Sequence, residues 1–123
     1  MSSFKSDLNL MRQEWYNAFY TGNIEQLDYL ETDWFLATNG QKFLYKKHQL
    51  RKISLGFSTK SSLCSNVIRK EYDVIISEFK GIACVSGKAL ITETNSVTNV
   101  NFIENWIKIN GGWKLQFQSF EAI

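Results

Sequence analysis

Apolar residues recur at helical spacing from the start of the chain. Phe4, Leu8, Met11, Trp15, Ala18 and Phe19 fall on one stripe, which predicts an amphipathic helix over residues 4 to 20. Gly22 ends it. Asn23 is placed to cap a short second helix, with Gln26 three positions on as in a capping box and Ile24 and Leu27 on the buried side. Asp33-Trp34-Phe35-Leu36-Ala37-Thr38 reads as a short strand closed by a turn at Asn39-Gly40. The pattern then predicts a third helix from Tyr45 to Ser54. Leu50 and Ile53 face inward, Lys46, Lys47, Arg51 and Lys52 face out, and Gly56 is its expected stop.

From Asn66 the hydrophobic period changes to two. Four strands are expected at about 67–79, 82–94, 97–109 and 112–121, broken at Lys80-Gly81, Asn95-Ser96 and Gly111-Gly112. Asn110-Gly111-Gly112 between alternating apolar residues is a strong hairpin signal, because the turn needs residues that tolerate positive φ. Helices first and a meander afterwards imply a single α+β domain over 1–123, not alternating α/β. Long strands must curl if three short helices are to cover one face. The expected fold is therefore a cone-shaped, strongly curved antiparallel sheet of about four long strands plus one short strand, covered by three N-terminal helices.

The hairpin around Asn110, taken with Trp15, Ala18, Gly22-Asn23 and Asp33-Trp34, resembles the nuclear transport factor 2-like superfamily. The nearest likeness is to its small SnoaL-like and ketosteroid-isomerase-like members, over nearly the whole chain. The resemblance implies the cone architecture and a cavity that holds a small apolar ligand. It also implies a homodimer formed sheet to sheet. Members of the superfamily include proton-transfer enzymes, and also binding proteins without an active site, among them immunity proteins that neutralise toxins.

Composition adds few constraints. The chain has 123 residues, enough for one core, and no proline to mark an extended linker. No apolar run is long enough for a membrane span, and the polar opening does not read as a signal peptide, so a cytoplasmic site of action is expected. Cys64 and Cys84 lack metal-ligand or redox spacing and are expected to be plain thiols. The net charge of +2 is unevenly spread. Between Trp34 and Lys70 there is no acidic residue, yet Lys42, Lys46, Lys47, Arg51, Lys52, Lys60, Arg69 and Lys70 all fall there. Lys46, Lys47, Arg51 and Lys52 are the candidate surface for an acidic protein partner; a solvated helix face is the plainer account. So mild a net charge argues against nucleic acid.

A proton-transfer enzyme needs a cavity-facing carboxylate or imidazole, and a donor where an oxyanion develops. The weak catalytic candidates are Glu104, Tyr16 and Asp33, with Tyr20 and Asp73 behind them. Glu104 lies between Phe102 and Trp106 on one strand face. It either lines the cone or pairs across the sheet with Lys88 or Lys114. Tyr16 and Tyr20 also suit simple packing with wet hydroxyls, and Asp33 suits a turn or cap. His48, the one histidine, sits in the basic helix and reads as a surface residue. Candidate ligand-cavity residues are Trp15, Tyr16, Phe19, Trp34, Phe102, Glu104 and Trp106. No metal site or cofactor motif is found.

Ile103, Ile107 and Ile109 alternate with Phe102, Glu104, Trp106 and Lys108, so that strand is apolar on both faces. Leu115 and Phe117 are expected to share one face, with Gln116 and Phe120 on the reverse. Such a strand fits a covered outer face, as in a sheet-to-sheet homodimer. The sequence thus points to a small dimeric binding protein lacking a recognisable catalytic set, with a proton-transfer enzyme as the alternative.

Overall fold

The computed structural model describes residues 4–59 and 67–123. The elements run α1 (Phe4–Thr21), α2 (Ile24–Leu30), β1 (Glu31–Thr38), β2 (Phe43–Tyr45), α3 (Lys46–Thr59), β3 (Ile68–Phe79), β4 (Ile82–Glu93), β5 (Ser96–Ile109) and β6 (Gly112–Ala122). One curved, open sheet has the order β2-β1-β6-β5-β4-β3, and the helices cover its inner face. All neighbours are antiparallel except β1 and β6, which run parallel with Leu36 opposite Phe117. That parallel pair places the chain's early strand against its last one.

The local signals account for most boundaries. Asn23 Oδ1 accepts the backbone N–H of Gln26 at 3.2 Å and so starts α2. Lys80 and Gly81, and again Asn110 and Gly111, both have positive φ, the pair of conformations that a two-residue turn matched to strand twist requires. Two expectations change. Tyr45 belongs to β2, which forms because Asn39 Oδ1 accepts the N–H groups of Gln41 and Lys42 and folds the chain back on β1. Gly56 does not stop α3, which runs on to Thr59; one glycine costs a helix only about 1 kcal/mol against alanine.

The core lies between α1, α2 and the inner face of β1 and β4–β6, with Trp15, Phe35, Phe102, Trp106 and Leu115 all but inaccessible. Gly87 of β4 pairs with Phe102 of β5 and leaves room for that ring. A Cβ there would stand 3.0 Å from Phe102 Cζ and 3.1 Å from Val74 Cγ2. Val74 follows Asp73, whose φ of 55° marks the irregularity in β3 between Tyr72 and Ile75. On β6 a register shift opposite Asn105 and Trp106 sets Leu115 against Trp106 and Phe117 against Asn105. Leu115 therefore faces the core and Phe117 the outside, correcting the expectation that they share a face.

Candidate functional site

Arg12 occupies the inner stripe of α1, one turn from both Leu8 and Tyr16, and is buried. Its side chain meets Glu104, the fully buried acid on the inner face of β5. Arg12 Nε–H donates to Oε1 at 2.6 Å and Nη2–H to Oε2 at 2.9 Å. Trp106 Nε1–H donates to Oε1 at 2.8 Å, and the Tyr16 hydroxyl donates to Oε2. Both carboxylate oxygens are thus committed. Burial opposes the Arg12 charge, but the hydrogen bonds and charges of Glu104 and Glu71 outweigh it and raise its pKa. Burial, and then the charge of Glu104, push the Tyr16 phenol well above its ordinary value, so it stays a donor.

The network continues to β3. Arg12 Nη2 also reaches Glu71 Oε2 at 2.8 Å, and the same oxygen accepts from Arg69 Nε at 3.0 Å. Arg69 Nη1 donates to the Tyr20 hydroxyl at 3.2 Å, and the guanidinium lies 3.8 Å from the centroid of the Tyr16 ring. Two guanidinium groups and two carboxylates balance in charge. Arg69 Nη2 has no hydrogen-bond partner among the described residues.

These side chains form one wall of a cleft of about 530 Å³ between α1 and the start of β3. Arg12, Tyr16, Tyr20, Arg69 and Glu71 line it together with the polar Asn9, Gln13, Asn17 and Thr21 of α1. A cleft so lined offers donors and acceptors at short spacing but no carboxylate free of an arginine.

A second buried acid, Glu31 at the start of β1, was not foreseen. Its Oε2 accepts from Trp15 Nε1 and from Gln49 Nε2, both at 2.9 Å, while its Oε1 has no partner. Burial raises its pKa to about 7, against the two hydrogen bonds and the charge of Lys46. A strand-initial Glu gives no pattern signal, because only the long-range contact with Trp15 and Gln49 buries it. Arg12 was legible in principle: an arginine inside an apolar helical stripe needs an acid, and Glu104 had been singled out.

The sequence candidates separate accordingly. Tyr16 and Glu104 come together, with Phe102 and Trp106 beside them. Trp15 and Phe19 line a different, smaller pocket. Glu104 faces the interior and pairs with Arg12, not with Lys88 or Lys114. Trp34 lies on the outer face, 58% exposed, and donates to Gln116 Oε1 at 2.8 Å, so it lines no cavity. The strand alternation that buries Phe35 turns it outward. Asp33 is fully exposed, with its carboxylate 3.9 Å from Lys46 Nζ, and stands apart from the Glu104 network. Asp73 sits at the β3 irregularity, exposed. Lys47, His48, Arg51 and Lys52 are exposed, whereas Lys46 is held by the carbonyls of Asp28 and Glu31 and an ion pair with Asp28. Cys84 is a free, exposed thiol on the outer face; Cys64 lies outside the described residues. Among the described residues no side chains cluster in a way that would hold a metal, and no helix is long and apolar enough to cross a membrane.

Solved structures share this arrangement of helices and sheet from end to end. An NTF2-like protein from Cytophaga hutchinsonii superposes with a TM-score of 0.78 at 18% identity, covering 100% of both chains. The fold is that of the NTF2-like proteins. A proposed dehydratase of the NTF2-like family from Streptomyces avermitilis gives a TM-score of 0.76 at 18% identity, over 95% of this chain and 94% of its own. The CaMKII hub of S. rosetta gives 0.77 at 13% identity, over 95% of each chain. No family model matches the sequence, and no curated protein does. Within one NTF2-like cone, then, stand proteins described as enzymes and as hubs, and this chain's own side chains must decide between such roles.

Proposed function

We propose that this protein is a non-catalytic, homodimeric NTF2-like binding protein that takes a small polar molecule in the cleft between α1 and β3. The commitment of Glu104 carries the reading. A general base needs a free lone pair facing substrate, and here four donors occupy the two oxygens. The cleft that remains is polar, charge-balanced and large enough for a metabolite. Its lining favours a hydrogen-bonding ligand over the apolar one that the sequence suggested.

Self-association draws support from the outer face. Ile75, Ser86 and Ile103 form one cross-strand row; Phe79, Ile82 and Ile107 form another. Between them Ser77, Cys84, Asn105, Phe117 and Leu36 cross five strands without a charge. Ile75, Phe79, Ile82 and Ile103 are all exposed in the single chain. Lys114 stands opposite Ile107 at the end of the second row, but the middle of the face is uncharged and suits an isologous contact with a second copy.

The second reading, a proton-transfer enzyme, is favoured by Glu31, whose pKa near 7 would let it exchange protons at neutral pH. Its side chain is enclosed by Trp15 and Gln49, so such chemistry requires the ligand to displace Gln49. Titration of ¹⁵N-labelled protein with a panel of amino acids, sugars and nucleosides tests the first reading. Saturable shifts at the amides of Asn17, Tyr20 and Arg69, with no turnover, are expected. Turnover abolished by Glu31→Gln would establish the second reading instead.

A further inference from the structure

Glu31 at the start of β1 and Gln49 of α3 are both buried, and one hydrogen bond joins them. Gln49 Nε2–H donates to Glu31 Oε2 at 2.9 Å, and Trp15 Nε1–H donates to the same oxygen. Glu31 Oε1 and Gln49 Oε1 are left buried, and neither has a donor among the described residues. Two orphaned acceptors on one bonded pair are uncommon and costly. A carboxyl and a primary amide share a planar, two-headed shape, so they can meet head to head. The two leftover oxygens are the atoms that such a meeting opposes. An ionised Glu31 has no hydrogen to place between them, and turning the Gln49 amide over only moves the conflict to Oε2. A single proton on Glu31 Oε1 satisfies both atoms at once.

We propose that Glu31 and Gln49 form a proton-dependent clasp between β1 and α3. Glu31 Oε1–H donates to Gln49 Oε1 while Gln49 Nε2–H donates back to Oε2, and loss of that proton to solvent frees Gln49 and loosens α3. The charged groups that act on the carboxyl are Asp28 of α2, which raises its pKa, and Lys46 of α3, which lowers it; these two are ion-paired with each other at 2.9 Å. From α1 comes the uncharged Trp15, and β6 sets Leu115 opposite Glu31, with Lys114 beside it bonded to the Tyr29 carbonyl. Asp33 of β1 and Lys47 and His48 of α3 are exposed. Burial therefore dominates and holds the acid's pKa at about 7. The clasp closes below neutrality and opens above it. Lys46 bonds the Asp28 and Glu31 backbone carbonyls in either state, so it is the pivot about which α3 moves. The exposed Lys47, Arg51 and Lys52 move with the helix.

The test is NMR of the whole protein, labelled with ¹³C and ¹⁵N, at pH 5.5 and pH 8. The side-chain carboxyl ¹³C shift of Glu31 should report a neutral acid at the lower pH and a carboxylate at the higher, with a midpoint of about 7. Over the same range the backbone order parameters of residues 47–53 should fall from ~0.85 towards ~0.6, while those of β5 stay rigid. Glu31→Gln supplies a permanent N–H in place of the acid O–H. It should hold α3 rigid at both pH values, with a thermal melt confirming that it is folded. A Glu31 carboxyl shift that is the same at the two pH values would overturn the proposal. So would titration of Glu31 with α3 equally rigid throughout, or loss of α3 order at pH 8 in Glu31→Gln as well.

Discussion

Arg12 and Glu104, separated by 92 positions in the chain, are joined by two hydrogen bonds inside the core. The side-on pairing, Nε to Oε1 and Nη2 to Oε2, matches guanidinium and carboxylate geometry and lets a charged strand residue sit fully buried beside Trp106. Arg12→Met strands that carboxylate in the core and should cost about 3–5 kcal/mol in urea unfolding. Adding Glu104→Leu removes the stranded charge, so the double variant should be more stable than Arg12→Met alone. A cost below about 1 kcal/mol for the single change would mean that Glu104 is not held as a buried anion.

Glu31 makes stability depend on pH in the opposite sense from an ion-paired acid. Its folded pKa of about 7 lies above the ordinary value of 4.5, so the native state holds the proton more tightly than the unfolded chain. Its favourable contribution is complete below the unfolded value and is lost as pH rises through 7. Between those limits the loss amounts to about 3 kcal/mol at most. Unfolding curves at pH 5 and pH 8 should show this decline, and Glu31→Gln should flatten it. An equal slope in the variant would assign the pH dependence to other groups.

Gly87 is required by packing, since its φ is ordinary and the constraint is the space claimed by Phe102 and Val74. Gly87→Ala should destabilise by about 1–3 kcal/mol through overpacking. In a Val74→Ala background the same change should cost clearly less, because one of the two neighbours is gone. Thermal melts of the four proteins give the coupling directly.

The sequence showed the elements because each follows from local chemistry: the stripe on α1, the cap at Asn23 and the glycine turns. It could not show β2, a three-residue strand that exists only because the Asn39 turn returns it to β1. Nor could it give the faces of β6, because the register shift opposite Asn105 breaks the simple alternation. The site was half legible. Glu104 and Tyr16 stood out as a costly acid and a neighbouring phenol, but their partners Arg12 on α1 and Arg69 and Glu71 on β3 lie far from Glu104 in the sequence. Only the folded, curved sheet brings α1, β3 and β5 together, and with them the meaning of Glu104 changes from free base to anchor.

The outer face yields a prediction about assembly. Trp34, Gln116, Asn105 and Cys84 are linked by side-chain hydrogen bonds across β1, β6, β5 and β4, in the midst of the apolar rows. Their polar groups are thus already satisfied when the face is covered. Ile103→Lys puts a charge in one of those rows and should convert a dimer to a monomer in light scattering, with far-UV circular dichroism unchanged. A native protein that is monomeric at all accessible concentrations would remove the sheet face as a self-contact.

Whether the protein is a dimer that binds through the α1–β3 cleft can be read from native mass spectrometry of gently purified protein beside its Arg69→Met variant. Two chains carrying additional small-molecule mass are expected, with loss of that mass and retention of the dimer when Arg69 no longer lines the cleft. Bare chains from the native protein, or extra mass that persists unchanged in Arg69→Met, would contradict that expectation.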